Sequence, residues 1–397
     1  MTAAQGCAIV FAMQPPLSRP PARLGSTLKA YLLPKPQIRL FAIATVVPVA
    51  LLGLADLFGG LWALAALGYM TALTASLDAL VGLVLLPSQS PATLRAGDRL
   101  SVVLALAHFI LLALAVLALG ANRFALWEQV VIFLASGLFF GQVSNSNAHE
   151  LIHRTTRGLR NLGTWVYISL LFGHHASAHP KVHHRFVATD EDPNSARSGE
   201  GFYRFALRAW LGSFRAGLKI ENDLRARTRG GAWWHKKLHP YAVYTLGALM
   251  CLGLAFAIAG PRGLVAYVAL SSFATMQLLL SDYVQHYGLR RPKGPDGRYA
   301  PVDVQHSWNA PQWFSALLML NAPRHSDHHA HPMRPYPALK LDTGAPLLPH
   351  SLPIMATIAL VPPLWKRKMR KHVLAVINGT QNHPDRAKAA PRNPTST

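Results

Sequence analysis

Histidine is the residue type in this chain with the clearest capacity for chemistry, because there are 19 histidines and most of them fall in four short segments. The first segment, NAHELIHR at 147–154, places two histidines four residues apart, on one face of a helix. The second, GHHASAHPKVHH, contains an HxxxHH motif, DYVQHYGL contains a single histidine, and RHSDHHAHP contains an HxxHH motif. The motif histidines are His149, His153, His179, His183, His184, His286, His325, His328 and His329.

These spacings predict a site for two metal ions. Imidazole suits iron, copper, nickel and zinc, whereas carboxylate and water suit magnesium, calcium and manganese. Nine histidines exceed what one four-coordinate zinc ion can bind. In the HxxxHH motif, His179 and His183 share one helical face, and His184 beside them can reach a second ion. A flexible histidine-rich loop that buffers metal is the alternative, but apolar helical sequence between the motifs favours a fixed geometry.

Acidic residues lie next to every histidine motif, although the chain holds only 17 of them. Carboxylates that accept a hydrogen bond from a metal-bound imidazole orient its ring and share the charge of the metal. Each carboxylate taken alone is equally well explained as a helix cap or a surface charge, but their distribution favours a role beside the ligands. The candidates are Glu150, Glu191, Asp192, Asp282 and Asp327.

The composition predicts that these motifs belong to a membrane protein. Only 14% of the residues are charged and 51% are hydrophobic, where soluble proteins have about 25% charged residues. Apolar runs near the 20 or so residues needed to cross a bilayer occur at about 40–59, 60–86, 100–121, 125–145, 241–259 and 262–285. We therefore expect an all-α, polytopic bundle of six transmembrane helices. The formal charge of +22 then indicates lipid or an acidic protein as a partner, and not nucleic acid.

Basic residues that flank the apolar runs predict the orientation of the bundle. Positive residues lie before the first run and between the second and third runs, which places both segments in the cytoplasm. Six crossings then bring all the histidine motifs to the same side, as a cytoplasmic cap. The predicted organisation is a cytoplasmic segment at 1–39, a membrane domain with the metal site at 40–365 and a basic, disordered tail at 366–397. Asp78, deep in the second run, is compatible with a functional or a structural role.

With these motifs in order, the chain resembles the alkane 1-monooxygenase family, whose members are integral-membrane di-iron hydroxylases related to membrane desaturases. The matching segments are NAHELIHR, GHHASAHPKVHHRFVATDEDPNSARSGEGFYRF, DYVQHYGL and RHSDHHAHP, and the resemblance covers roughly residues 40–365. It implies that the nine motif histidines bind two non-haem irons, and that His174 supports them without binding metal. The chain departs from the usual family pattern at Ala178, Asp282, Gln285 and the pair Ala322-Pro323.

The resemblance also implies an activity: hydroxylation of the terminal methyl of medium- or long-chain n-alkanes with O2, in a bacterial inner membrane. Substrate would enter from the bilayer through an apolar channel, for which the candidate lining residues are Trp62, Tyr69, Phe139 and Phe140. Two electrons per turnover would come from an acidic rubredoxin and its reductase. Basic residues suited to such a donor, or equally to orienting the spans, are Arg154, Arg157, Arg160, Lys181, Arg185, Arg204, Arg208, Arg215 and Lys219.

Three other functions are compatible with the same motifs. Within the enzymes, the irons could serve a methylarene hydroxylase or a fatty-acyl desaturase or hydroxylase. Outside them, the chain could be a histidine-rich metal transporter. Transporters place their ligands near the middle of the bilayer, whereas these histidines are predicted at or beyond the cytoplasmic helix ends.

Overall fold

The computed structural model describes residues 31–32, 38–81, 83–84, 87–227 and 238–379. Most of the predicted segment 1–39 and the last part of the predicted tail, 380–397, lie outside the described residues. The described chain is almost entirely helical, in agreement with the predicted all-α class. Its only strands, β1 (Tyr31–Leu32) and β2 (Leu83–Val84), are two residues long and pair in parallel.

In the described part of the chain, five helices are long and apolar enough to cross a membrane: α1 (Ile38–Phe58), α2 (Gly60–Leu80), α3 (Pro91–Gly120), α4 (Leu126–Ile152) and α9 (Pro240–His286). Their positions match the predicted apolar runs, although α3 begins nine residues earlier than its run. The start of α3 is fixed by Ser90, whose side chain accepts a hydrogen bond from the backbone N–H of Thr93 at 3.2 Å. The chain is therefore a multi-pass membrane protein.

The fifth helix, α9, is a hairpin of two apolar arms. Its backbone leaves the helical conformation at Ala259 and Gly260, and Gly260 has a φ of +61°, which glycine adopts without a steric penalty. Pro261 follows, and a Cβ built on Gly263 would lie 2.8 Å from the carbonyl oxygen of Ala255, so the chain folds back on itself. The two arms correspond to the predicted fifth and sixth spans, and a count of six crossings stays a prediction.

The other α-helices of the described chain are shorter than these five, except for one of 26 residues. They are α5 (Arg157–Ser169), α6 (His175–Ala178), α7 (His184–Phe186), α8 (Phe202–Arg227), α10 (Trp313–Leu318), α11 (His325–Ala330), α12 (Leu352–Ala359) and α13 (Pro362–Ile377). All four histidine motifs lie in or next to this set of elements. It forms the cap that positions them.

Asp78 joins the membrane bundle to this cap. Its carboxylate accepts hydrogen bonds from the backbone N–H groups of Phe314 and Ser315, at 2.9 and 3.1 Å. These are two of the N–H groups that the first turn of α10 leaves without a partner inside the helix. Asp78 therefore caps α10, a structural role for an ionisable residue near the end of its span.

The predicted tail begins inside a helix. Residues 366–377 belong to α13, and the prediction of disorder from 366 onwards is wrong for this part of the chain. Trp365, Met369 and Val373, four residues apart from one another, form a buried stripe along α13. The basic residues between them, on which the prediction of disorder rested, lie mainly on the opposite, exposed side of the helix.

Candidate metal centre

The structure brings the nine motif histidines together as two neighbouring groups. The five-histidine group consists of His149, His153, His179, His184 and His328. The four-histidine group consists of His183, His286, His325 and His329. Within each group, the potential ligand atoms all lie within 4.8 Å of one another. The rings of His184 and His329 meet at the boundary between the groups, with centroids 4.5 Å apart.

The spacing of the ring nitrogens fits the coordination of a metal ion. In the five-histidine group, the Nε2 atom of His179 lies 2.7 Å from that of His149 and 3.0 Å from that of His184. In the four-histidine group, the Nε2 atom of His325 lies 2.9 Å from that of His286 and 3.1 Å from that of His329. Two neighbouring imidazole ligands at about 2.1 Å from one metal would have nitrogens separated by roughly 3 Å.

Two of the converging nitrogens have no hydrogen-bond partner in the described part of the chain. The Nε2 atoms of His153 and His183 are both buried in this way. A buried polar atom without a partner is unfavourable unless something else satisfies it. A bound metal in each group would do so, and the residues present fit such an ion.

A π turn decides how the HxxxHH motif divides between the groups. Residues His179–His183 form this turn, in which each N–H bonds to the carbonyl five residues earlier. Residues five apart then face the same way, so His179 and His184 share the five-histidine group while His183 enters the other. A regular α-helix would have paired His179 with His183, as the sequence analysis assumed.

Burial keeps most of these imidazoles in the neutral form that binds metal. It lowers the pKa of His179, His184 and His328 well below the ordinary value, and neighbouring rings lower it further. The pKa values of His325 and His329 are lowered for the same reasons. Neutral imidazoles can coordinate a metal without first losing a proton.

His183 is oriented by a buried carboxylate. Its Nδ1 atom lies 2.9 Å from Oδ2 of Asp192, which directs Nε2 of the same ring into the four-histidine group. Burial alone would raise the pKa of Asp192, but His183 and the hydrogen bonds from Ser195 and Asn194 outweigh it and lower the pKa. Asp192 is thus an ionised, fully enclosed acceptor, in the arrangement that fixes the ring of a metal-binding histidine.

Replacement of Asp192 should weaken metal binding without removing a ligand. We expect Asp192→Ala to lower the affinity for the metal in the four-histidine group by about 10- to 100-fold. The measurement is competition with a graded series of chelators, with metal content read by mass spectrometry. Asp190→Ala is the matched control, because Asp190 is exposed and forms an ion pair with Arg290, at 4.0 Å. Equal metal retention in the two variants would contradict this role.

Among the other predicted carboxylates, Asp282 lies closest to the histidines. It is buried, accepts a 2.6 Å hydrogen bond from Asn194, and lines one cavity together with His149 and His325. The backbone N–H of Asn194 in turn donates to Asp192 at 3.0 Å. Asp282 is therefore connected to His183 through two residues.

Glu150, Asp327 and Glu191 do not contact the rings of either group in the described structure. Glu150 binds Arg154 at 2.7 Å and accepts a hydrogen bond from the backbone of Tyr336. Asp327 binds Arg334 and His331, and so fixes the segment after α11. Glu191 is exposed. The predicted role of these three beside the ligands is corrected: two of them brace the cap, and the third faces outward.

His175, which the sequence analysis passed over, packs against the metal centre where His174 was expected. The ring of His175 stacks on His179 with centroids 4.8 Å apart and lines the same cavity as Asp282. His174 instead places Nε2 3.2 Å from the hydroxyl of Ser213, among aromatic rings of α8. Because His174 and His175 are adjacent, the sequence indicates that one of the two faces the metal centre. It does not show the rotation of the helix that decides which one.

Two neighbouring cavities lie between the histidine groups and the apolar helices α4 and α9. The inner cavity is lined by His149, His175, Asp282 and His325, among others. The outer cavity lies between α4, the second arm of α9 and α12, and its wall is mainly apolar. Gly141, Ser281 and Met319 line both.

None of the four predicted channel residues lines either of these cavities. Trp62 is 44% exposed on the outer surface of α2, and the hydroxyl of Tyr69 donates to the carbonyl of Ala44 at 3.1 Å. Phe139 and Phe140 are fully buried in the bundle core. The four residues predicted to line a channel therefore lie outside both cavities.

Comparison with known proteins agrees with this geometry. The sequence profile of the family described as fatty acid desaturase matches residues 125–343, which include all nine histidines. The chain is 34% identical over 275 residues to an alkane 1-monooxygenase of Pseudomonas putida, covering 68% of this chain and 67% of that protein. It is 32% identical over 278 residues to an alkane 1-monooxygenase of Ectopseudomonas oleovorans, covering 69% and 68%.

The chain belongs to the alkane 1-monooxygenase family. It is accordingly a membrane monooxygenase, an oxidoreductase. A more distant relative is the hydroxylase component of a xylene/toluene monooxygenase of Pseudomonas putida, 27% identical over 222 residues, or 55% of this chain and 57% of that protein.

Two of the departures from the pattern of the alkane 1-monooxygenase family contact each other. The side chain of Gln285 donates a 3.0 Å hydrogen bond to the carbonyl of Ala322, and it accepts one from Ser281 at 2.9 Å. Gln285 and Ala322 both line the inner cavity. The neutral amide therefore ties the helix that carries His286 to the loop that precedes His325.

Neighbouring carboxylates neutralise four of the nine cations predicted to bind an electron donor. Lys181 pairs with Glu221, Arg208 with Glu200 and Lys219 with Asp223. Arg154 is only 12% exposed and bridges Asp98 and Glu150. The five other predicted cations, Arg157, Arg160, Arg185, Arg204 and Arg215, are exposed.

Proposed function

We propose that the chain hydroxylates the terminal methyl group of medium- or long-chain n-alkanes to primary alcohols, using O2 and two electrons. One observation supports this most directly: nine histidines converge in two groups beside a cavity that opens toward apolar helices. The relatives named alkane 1-monooxygenase give the substrate class.

Two irons are the proposed cofactors, one held by each histidine group. Reduced iron, when bound, supplies the activation of O2 that attack on a strong C–H bond requires. The remaining work belongs to the chain itself. Asp192 holds the ring of His183 in place, and the apolar wall of the outer cavity excludes water while it aligns the substrate.

The outer cavity is the proposed substrate channel. Its lining includes Leu138, Phe273, Met276, Leu280 and Ala356, contributed by three helices that meet near the membrane end of the cap. An alkane has no polar group to orient it, so its position must come from the shape and length of an apolar channel. Met319 lines both cavities and so lies between the proposed channel and the histidines.

The electrons are proposed to come from a rubredoxin reduced by its own reductase. The chain contains two cysteines, fewer than the four thiolates that an iron–sulfur carrier requires. By the distribution of positive residues, the proposed location is a bacterial inner membrane with the metal centre and both termini in the cytoplasm.

A methylarene substrate is the second candidate, because one relative is the hydroxylase component of a xylene/toluene monooxygenase. The same cavity would then receive a short, broad molecule in place of a long, narrow one. Comparison of p-xylene with n-octane and n-hexadecane as substrates separates the two candidates by kcat/KM.

Metal analysis and oxygen uptake test the proposed function together. We expect purified protein in lipid nanodiscs to contain about two irons per chain. With reduced rubredoxin, it should consume O2 only when an alkane is present and form the 1-alcohol. Exchangeable zinc without O2 consumption would support a transporter instead and would overturn the proposal.

A further inference from the structure

The exposed side of α13 carries a dense group of positive charges. Lys366, Arg367, Arg370 and Lys371 are exposed, and Lys368 is half-buried. Within the described ranges, none of the five forms an ion pair with a carboxylate. Lys181, Arg208 and Lys219, by contrast, each form one. Like charges that repel one another on a single helix are unfavourable, so a partner with negative charge would be attracted to them.

The buried side of α13 packs against the chain segment that carries a ligand of the four-histidine group. The ring of Trp365 lies 5.2 Å from that of Tyr287 and 5.4 Å from that of Tyr283. Tyr287 directly follows His286 in the sequence. Farther along α13, the side chain of Val373 would lie 3.0 Å from a Cβ on Gly288. One layer of aromatic side chains therefore separates the basic helix from the backbone at His286.

We propose that the exposed side of α13, from Leu364 to Leu374, is the docking surface for a small acidic electron-carrier protein. The inference rests on the proposed function, which needs a separate donor. Electron transfer slows steeply with distance, and a carrier bound on α13 would be brought toward the four-histidine group across the Trp365–Tyr287 contact. Charge complementarity of this kind accelerates association and selects the partner.

A protein partner fits α13 better than insertion into lipid. Helices that lie in a membrane surface have a separate apolar face to bury among the acyl chains. The apolar stripe of α13, Trp365, Met369 and Val373, is already buried against the cap. The exposed apolar residues of α13 are Leu364, before the cation group, and Leu374 and Ile377, after it, which gives a mixed surface of the kind that protein interfaces use.

Charge reversal on α13 tests this surface. The variant K366E/R367E/R370E/K371E is compared with R95E/R99E/R204E/R215E, which makes the same charge change at four exposed residues on α3 and α8. Full-length protein is assayed in nanodiscs of phosphatidylcholine with reduced rubredoxin as the donor. We expect the α13 variant to raise the KM for rubredoxin roughly tenfold or more at low salt, and the control variant to change it much less.

A small uncharged chemical reductant separates this inference from the proposed function. If α13 is the docking surface, both variants should turn over alkane at the unmodified rate with this reductant. An unchanged KM for rubredoxin in the α13 variant, or a larger increase in the control variant, would overturn the assignment. A defect that appears only in discs with anionic lipid, and with both donors alike, would show that α13 binds lipid. Failure of the unmodified protein with both donors would count against the proposed function itself.

Discussion

His183→Ala and His184→Ala should each abolish alkane turnover, although they should remove metal from different places. The two residues are adjacent in sequence, but His183 belongs to the four-histidine group and His184 to the five-histidine group. Loss of His183 leaves three ligands in its group, and we expect that this group then no longer binds iron. The iron content should drop from about two to about one per chain. Loss of His184 leaves four ligands in its group, so we expect more iron to be retained.

Iron content by mass spectrometry and the Mössbauer spectrum of each variant measure this difference. The matched control is His331→Ala, which removes a histidine of the same sequence motif that lies outside both groups and is half exposed. The control should keep both irons and most of its activity. Identical iron loss in the two variants would contradict the division of the HxxxHH motif, and full activity in either would contradict the ligand assignment.

The four motifs made the gathering of these histidines predictable, because three of them place two or three ligands on a short stretch of helix. Their division between two groups was not predictable. It depends on a π turn at His179–His183, and a π turn arises from the packing around it and leaves no regular pattern in the sequence. The same packing turns His175 toward the centre and His174 away from it.

The apolar spans were predictable because a bilayer demands long runs without charge, and the structure contains them at the predicted places. The channel was not, since large apolar residues in a span serve packing far more often than they line a cavity. Phe139 and Phe140 illustrate this: both were expected to line a channel, and both are completely buried in the core. The cavity depends on where α12 meets α4 and α9, a contact between segments distant in sequence.

The charge of the surface was also only partly predictable from the sequence. The number of positive residues is visible in the sequence, but a positive residue attracts an acidic partner only where nearby carboxylates do not neutralise it. Glu200 and Glu221 lie near their partners only in the folded cap, so their effect on Arg208 and Lys181 could not be counted beforehand. The basic residues of α13 form no ion pair with a carboxylate in the described part of the fold, and the sequence alone could not show this either.

Ala356→Phe should shorten the longest alkane that the protein can hydroxylate. Ala356 lies on α12 and lines the outer cavity opposite Met276 and Leu280 of α9. A phenyl ring at position 356 would fill part of the proposed channel. A long alkane that extends past this position could then no longer bind. We expect kcat/KM for n-hexadecane to fall by about 10- to 200-fold, while n-octane keeps most of its rate.

The profile of kcat/KM against chain length is the measurement that decides this prediction. Ile354→Phe is the control, because Ile354 lies on the same helix but does not line the cavity. A channel explains a loss that grows with chain length, since only the longer substrates reach residue 356. A loss of equal size for all lengths would instead indicate that the ring disturbs the histidine groups through Met319, and the channel would then have to be sought elsewhere between the helices.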